Sequence, residues 1–246
     1  MLVPLQIQWR DPANLGSVDS AGSCRCDDGC EYVLKDTSDH PLMPHSEWFC
    51  TKLAEAVSIA CPPCAVIRDE SGVFLFGSRW EGGISNEKWW ELLDAGEIDP
   101  DIVYPVLSRV LAFDLFIHND DRHLNNFLTR ESRNSYSLLA FDFSRSWAIH
   151  RIPPLDLPLQ KEALTLRAHR KMKNMFGDFL DIDCVNETID RISGVSSVTI
   201  QNIINQHPRE WLSAAEESDI LSWWDSDLRA NRLDGIREGI GNGSLL

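Results

Sequence analysis

Apolar and polar positions change rhythm along this chain, and each change marks an element. Cys30-Glu31-Tyr32-Val33-Leu34-Lys35 joins β-branched and aromatic residues and closes on a charge, which predicts a short strand. Ahead of it, Asn14 to Ser23 is rich in turn formers and Asp27-Asp28-Gly29 has hairpin-turn composition, so a glycine-containing flap joined to that strand is expected. From Ser46, the spacing of Trp48, Phe49, Leu53, Ala54, Ala56 and Val57 gives a helical stripe. Ser46 is its expected cap, Glu47 falls in its first turn, and Pro62-Pro63 stops it. Ala65 to Arg68 and Val73 to Gly77, separated by Asp69-Glu70-Ser71-Gly72, read as a hairpin, and Gly82-Gly83 as a linker.

Beyond Gly83 the period becomes helical, over Glu87 to Leu93 and again over Ile102 to Ile117. Phe127-Leu128-Thr129 and Ser137 to Phe141 then predict two short strands around the polar turn Arg130 to Ser135. The stretch from about Pro158 to Arg237 is helical by pattern, with Trp211, Trp223 and Trp224 as core, and the glycine-rich tail Gly239 to Ser244 is expected to fray. No internal repeat or low-complexity tract interrupts this order. The expected fold class is α+β with two lobes: a small β-rich lobe with one main helix over 1–83, and a larger helical lobe over 84–246.

Composition narrows the picture without changing it. With 246 residues, 43% of them hydrophobic, the chain has ample material for a core. A formal net charge of −15 opposes contact with nucleic-acid backbones and anionic lipid, so neither partner is expected. No apolar run approaches the roughly 20 residues that span a bilayer, and the N-terminus lacks a signal-type apolar core, so a cytoplasmic location is expected. The cysteines, Cys24, Cys26, Cys30, Cys50, Cys61, Cys64 and Cys184, are odd in number, which suits reduced thiols. Cys61-Pro62-Pro63-Cys64 has zinc-site spacing, but no second half-site completes it, and thiols acting as small apolar side chains are the simpler reading.

The chemistry is concentrated between the predicted helix ending at Ile117 and the strand beginning at Phe127. His118-Asn119-Asp120-Asp121-Arg122-His123-Leu124-Asn125-Asn126 places many polar groups between two apolar elements, which is costly unless water or a ligand meets them. Phosphoryl transfer needs a cation for the triphosphate, oxygen ligands for Mg²⁺ and a carboxylate facing the attacking hydroxyl. In that pattern an Asp precedes an Asn by five positions, and a second Asp follows after a short hairpin. Asp121, Asn126 and Asp142 fit it, with Lys35 on an upstream strand and Glu47 on the helix able to pair with it. Singly, Lys35 reads as a solvated surface charge and Glu47 as a helix-start acid; the ordered set carries the specificity. Asp120 and Asn125 share the same spacing, so spacing alone leaves two candidate carboxylates.

These residues resemble a known family. Tyr32-Val33-Leu34-Lys35, Glu47-Trp48, Phe74-Leu75-Phe76-Gly77-Ser78-Arg79, Asn119 to Asn126 and Phe141-Asp142-Phe143-Ser144 look like the HipA-like serine/threonine kinases, from about Gly22 to Trp147. The resemblance implies a two-lobed kinase fold, ATP and Mg²⁺ as cofactors, an unidentified protein substrate, and a link to toxin–antitoxin systems with an antitoxin-like regulator. It implies that Lys35 holds the α- and β-phosphates, Glu47 orients Lys35, Asp121 is the catalytic base, and Asn126 and Asp142 hold the metal. It also selects Asp121 over Asp120. The larger toxin kinases have an N-terminal subdomain for which there is no room before Lys35, so a short stand-alone form is expected.

By position, the flap places Gly22 and Ser23 near the phosphates, with Ser17, Ser20 and Ser23 as candidates for self-phosphorylation. Gly77, Ser78 and Arg79 fall where a hinge would meet adenine. His123 is a candidate proton acceptor or a packed support. Lys161, Arg167, Arg170, Lys171 and Lys173 outweigh the single acid Glu162, as a substrate contact or a solvated helix face. The Asp-Arg-His-x-x-Asn string also resembles phosphoinositide kinases, so a lipid or small-molecule kinase is the alternative, followed by a catalytically silent binding module.

Overall fold

The computed structural model describes residues 3–11, 21–133, 135–149 and 159–246. Ser17 and Ser20, and the flap between Pro12 and Ser20, lie outside the described residues. The β-rich part holds β1 (Leu5–Asp11), β2 (Ser23–Cys26), β3 (Glu31–Lys35), α1 (Met43–Ala56), β4 (Cys64–Arg68) and β5 (Phe74–Arg79). Its strands close into a barrel in the order β1-β2-β3-β5-β4, sealed by a parallel pairing of Leu5 with Ile67. Period-two alternation sends Cys24, Cys26, Tyr32, Leu34, Ile67 and Leu75 into the interior. Cys24 and Cys26 sit there as fully buried small side chains, their Sγ atoms 3.5 Å apart.

The helical part follows with α2 (Trp89–Asp94), α3 (Pro100–Phe116), the hairpin β6 (Phe127–Ser132) and β7 (Ser135–Ala140), then α4 (Leu164–Phe176), α5 (Ile182–Gly194), α6 (Ser197–Gln206), α7 (Ala214–Trp224) and α8 (Asp227–Gly241). Asp99 caps α3 by accepting the Asp101 N–H at 2.9 Å, and Pro100 suits the first turn, where no amide partner is needed. At the other end, the buried Arg232 of α8 donates to the carbonyls of Phe116 (2.8 Å) and Leu115 (2.7 Å), which have no partner within α3. This fixes the point from which the polar loop departs. No helix among the described residues is long and apolar enough to cross a membrane.

Two expectations about helix ends are corrected. Helix α1 begins at Met43, not Ser46, because Pro44 is tolerated in a first turn. The Ser46 hydroxyl instead donates to the carbonyls of Phe143 (2.9 Å) and Ser146 (2.7 Å), and Glu47 falls one turn in from the N-terminus. The tail does not fray: Leu245 is buried against Gly239, where a Cβ would come within 2.4 Å of its Cγ.

Helix α1 also joins the two parts. Its Trp48 indole donates to Ile203 O at 3.0 Å, Phe49 stacks on Trp147 at 5.0 Å, and His45 meets His207 at 3.0 Å. One core therefore runs from Val66 and Phe76 of the barrel through α1 to Trp223 and Trp224.

Candidate active site

Lys35 closes β3, paired in register with Phe76 of β5, and its ammonium is almost fully buried. Glu47 Oε1 lies 2.9 Å from Nζ and Asp142 Oδ1 lies 2.6 Å from it. Burial opposes the charge on Lys35, but the two carboxylates outweigh it and hold the ammonium protonated above its usual range. For Glu47 burial dominates: its carboxyl is pushed up, against the pull of Lys35. Burial would likewise raise Asp142, yet Lys35, the Ser144 hydroxyl (2.7 Å) and Arg122 together hold it well below the ordinary carboxylate range. Glu47 Oε2 accepts the Phe143 N–H at 3.1 Å, so one carboxylate orients both the lysine and the segment that carries Asp142. Asp142 adopts φ +66°, a conformation uncommon outside glycine, and these contacts over-determine it.

The polar loop is built on a buried ion pair. Arg122 donates through Nε to Asp114 Oδ2 (2.8 Å) and through Nη2 to Asp114 Oδ1 (3.0 Å), a bidentate fork rooted in α3. Its remaining Nη1 donates to Asn126 O at 3.2 Å and to Phe141 O. One guanidinium thereby ties together the residues entering β6 and leaving β7. The hairpin register, Phe127 opposite Ala140, sets Asn126 beside Phe141 and so next to Asp142. Asn119 donates to Asp114 (2.8 Å) and accepts the Asp121 N–H (3.2 Å), while Thr165 of α4 donates to Asn119 O (2.6 Å).

Asp121 emerges from this scaffold half-buried, with Arg145 Nε 3.7 Å from its Oδ2. Burial pushes its carboxyl up, Arg145 opposes that, and the nearby Asp142 charge adds to it. The Asn126 amide reaches back to Asp121 O at 3.5 Å. Asp120 also leaves this loop, its carbonyl accepting the Thr165 N–H at 3.4 Å. His123 contributes its carbonyl to the Asn126 N–H (3.0 Å) and lines a small gap between α3 and α4.

A cavity of about 320 Å³ opens beside Lys35, Glu47 and Asp142. Val33, two positions before Lys35 on the same strand face, lines it from the barrel, and Leu128 and Ala140 line it from the hairpin. Ser78, Arg79, Trp80 and Glu81 form its outer edge, where Glu81 pairs with Arg79 (3.2 Å) and Arg130. Gly77 is not on its wall: a Cβ there would meet Ile67 Cδ1 at 2.3 Å, so this glycine serves barrel packing. Gly22 and Ser23 are not on the wall either. Gly22 O accepts the Leu34 N–H at 2.9 Å and Ser23 lies opposite Val33, which places both at the base of the flap hairpin.

Sequence reasoning missed Asp114, Thr165, Val33, Leu128 and Glu81. Only Val33 carried a local signal, its period-two relation to Lys35.

A barrel bearing a buried lysine, a helix glutamate paired with it, and a helical part presenting Asp142 at the same cavity, with Asp121 and Asn126 on the adjoining loop, define a two-lobed kinase fold. The chain belongs to the HipA-like kinase family, whose profile matches residues 16–236. It is similar to the structure of a proinflammatory kinase, CtkA, of Helicobacter pylori, with TM-score 0.64, 10% identity, and coverage of 96% of this chain and 98% of that one. It is also similar to HipA in a Shewanella oneidensis complex with HipB and operator DNA, with TM-score 0.53, 12% identity, and coverage of 84% of this chain and 60% of that one. No curated protein matches the sequence.

Proposed function

We propose that this protein transfers the γ-phosphate of ATP to a Ser or Thr hydroxyl of a protein substrate, with Asp121 as catalytic base. The observation that carries the reading is the Lys35–Glu47–Asp142 cluster at the wall of an otherwise largely apolar cavity, with Asp121 and Asn126 on the adjoining loop. The residues fit the cofactors. Val33, Leu128 and Ala140 offer apolar surface to a purine, Lys35 a fixed cation to phosphates, and Asn126 and Asp142 the hard oxygen donors that Mg²⁺ prefers. Bound Mg²⁺ supplies charge neutralisation of the triphosphate.

The chain's own residues supply orientation and a proton acceptor. Asp142 stays ionised because Lys35 and Ser144 stabilise its carboxylate, so it remains a ligand at any physiological pH. Asp121 accepts the proton of the attacking hydroxyl, and its raised carboxyl affinity for protons suits that role. The choice of Asp121 over Asp120 rests on the family resemblance of the Asp-Arg-His-x-x-Asn string. Asn126 is held by Arg122 and by the His123 carbonyl, which leaves His123 as a support within the loop. Gly77, Gly22 and Ser23 act through the barrel and the base of the flap, while Ser78 and Arg79 line the cavity edge.

Purified protein with radiolabelled ATP, Mg²⁺ and a bacterial lysate should label protein bands, and Asp121→Ala should not. Transfer retained in a folded Asp121→Ala protein sinks the assignment. Labelling of inositol lipid vesicles in place of protein selects the lipid-kinase alternative, and Mg-ATP binding with no transfer selects the silent module. A toxin-type role with an antitoxin-like regulator forms part of the proposal, resting on the family and on the HipB complex of the Shewanella relative; copurification of a neighbouring gene product is its test.

A further inference from the structure

The expected basic stretch Lys161 to Lys173 becomes a defined surface. Helix α4 is strongly amphipathic: Thr165, Leu166, Ala168, His169 and Met172 are buried, while Arg167, Arg170, Lys171 and Lys173 are exposed. Residues three and four apart share a helix face, so Arg167, Arg170 and Lys171 form one row with Lys173 at its flank. The exposed Lys161 lies just ahead of the helix, its backbone carbonyl accepting Arg170 Nη2 at 2.6 Å. Glu162 is the acid within the stretch, and among the described residues none of the five cations makes an ion pair.

The ring of His169, on the buried side of the same helix, is driven to about 4, by burial first and then by Lys173 and Arg170. The cationic row stands without paired acids among the described residues, in a chain whose net charge is −15.

Its place in the fold gives it meaning. Thr165, in the first turn of α4, donates to Asn119 O (2.6 Å) and accepts the Arg122 N–H (3.1 Å), so α4 is bonded directly to the loop that carries Asp121. At about 1.5 Å per residue the row ends about 12 Å beyond that junction. An extended peptide covers this distance with about four residues.

We propose that the exposed cationic face of α4 docks an acidic segment of the protein substrate next to the phosphorylated Ser or Thr. This rests on the protein-kinase reading above. The short row favours a peptide over nucleic acid, because an extended polyanion would run past it onto a surface dominated by carboxylates.

The test uses Ser/Thr peptides flanked by Asp/Glu or by Lys/Arg, with the full chain and Mg-ATP. The parent should prefer acidic flanks. Arg167→Glu/Lys171→Glu should raise KM for them by about tenfold with the smaller change in kcat, and should improve basic flanks. A preference that survives charge reversal overturns the proposal.

A second measurement does not depend on turnover: anisotropy of a labelled acidic peptide with Asp121→Asn protein at about 0.15 M salt. Binding there should weaken with salt and be lost on charge reversal; no binding overturns docking even if the kinase is active. Absence of transfer to any acceptor, with acidic peptide still bound, would instead remove the kinase reading. Tighter, charge-reversible binding of a duplex RNA of about 20 base pairs would make nucleic acid the occupant and overturn the proposal. Circular dichroism confirms that the exposed substitutions leave the helix content intact.

Discussion

Lys35 Nζ and Asp142 Oδ1, 107 positions apart in sequence, meet at 2.6 Å on the wall of the cavity. The contact joins the barrel to the helical part at the point where the chemistry is expected. It works in both directions: Asp142 keeps a buried ammonium charged, and the ammonium keeps Asp142 ionised. Glu47 makes the pair robust, since it also holds Lys35 and the Phe143 amide.

Asp142→Asn should therefore lower phosphoryl transfer by at least about 100-fold while the protein still folds. Lys35 retains Glu47 as its countercharge, so the cost in stability stays moderate. Radiolabel transfer and a thermal melt measure the two effects separately. A loss of activity matched by loss of the melt would leave the role of Asp142 as structural.

Arg122 carries the opposite expectation, since its contribution is to the scaffold. Arg122→Ala would leave Asp114 fully buried without its countercharge and release the Asn126 and Phe141 carbonyls, costing about 3–5 kcal/mol. Arg122→Lys keeps the charge but loses the fork, so it should recover only part of that. Urea denaturation of the three proteins checks the order.

The residues that meet at the candidate site were legible because the proposed phosphoryl transfer calls for ordered acids and one lysine on predictable elements. Lys35, Glu47 and Asp142 could be placed from strand, helix and hairpin patterns, whereas choosing Asp121 and Asn126 over Asp120 and Asn125 needed the family resemblance. Asp114 and Thr165 could not, because each looks like an ordinary helix residue and acts through hydrogen bonds to a distant loop. The start of α1 was missed for a related reason: Ser46 has the chemistry of a cap, but its hydroxyl is used by Phe143 and Ser146, which local sequence does not encode. Position near the hinge suggested Gly77, yet strand alternation turns it toward Ile67.

That last relationship can be tested by compensation. Gly77→Ala should destabilise the barrel by about 1–3 kcal/mol, because the new methyl overlaps Ile67. Adding Ile67→Val removes the overlapping Cδ1 and should restore much of the loss. The Mg-ATP affinity of the double variant should match the parent. A selective loss of nucleotide affinity would return Gly77 to the binding site.

His169 makes stability depend on pH. It is almost fully buried, its two ring nitrogens have no hydrogen-bond partner among the described residues, and its pKa is lowered from 6.5 to about 4. Between those values the unfolded chain binds the proton and the folded chain does not, so stability is complete above about pH 6.5 and declines as pH falls toward 4. From pH 7 to pH 5 this residue accounts for about 2 kcal/mol. His169→Phe, which keeps an aromatic ring against Phe179, should lose about that much less than the parent over the same interval. Chemical denaturation at the two pH values measures the difference.

Arg145 sets the acid limb of the proposed reaction. Its guanidinium is 3.7 Å from Asp121, and a base must be ionised to accept the hydroxyl proton. Burial already pushes the Asp121 carboxyl up, with Asp142 adding to it, and Arg145 is the stronger of the two cationic groups that oppose this, His123 being the other. Arg145→Ala should therefore move the acid limb of kcat/KM to higher pH, by up to about one unit because the pair is partly solvated. Arg145→Lys should return it toward the parent position by restoring a cation near Asp121. Asp121→Asn should abolish the limb together with nearly all turnover. An acid limb that stays in place in Arg145→Ala would mean that a group other than Asp121 controls it.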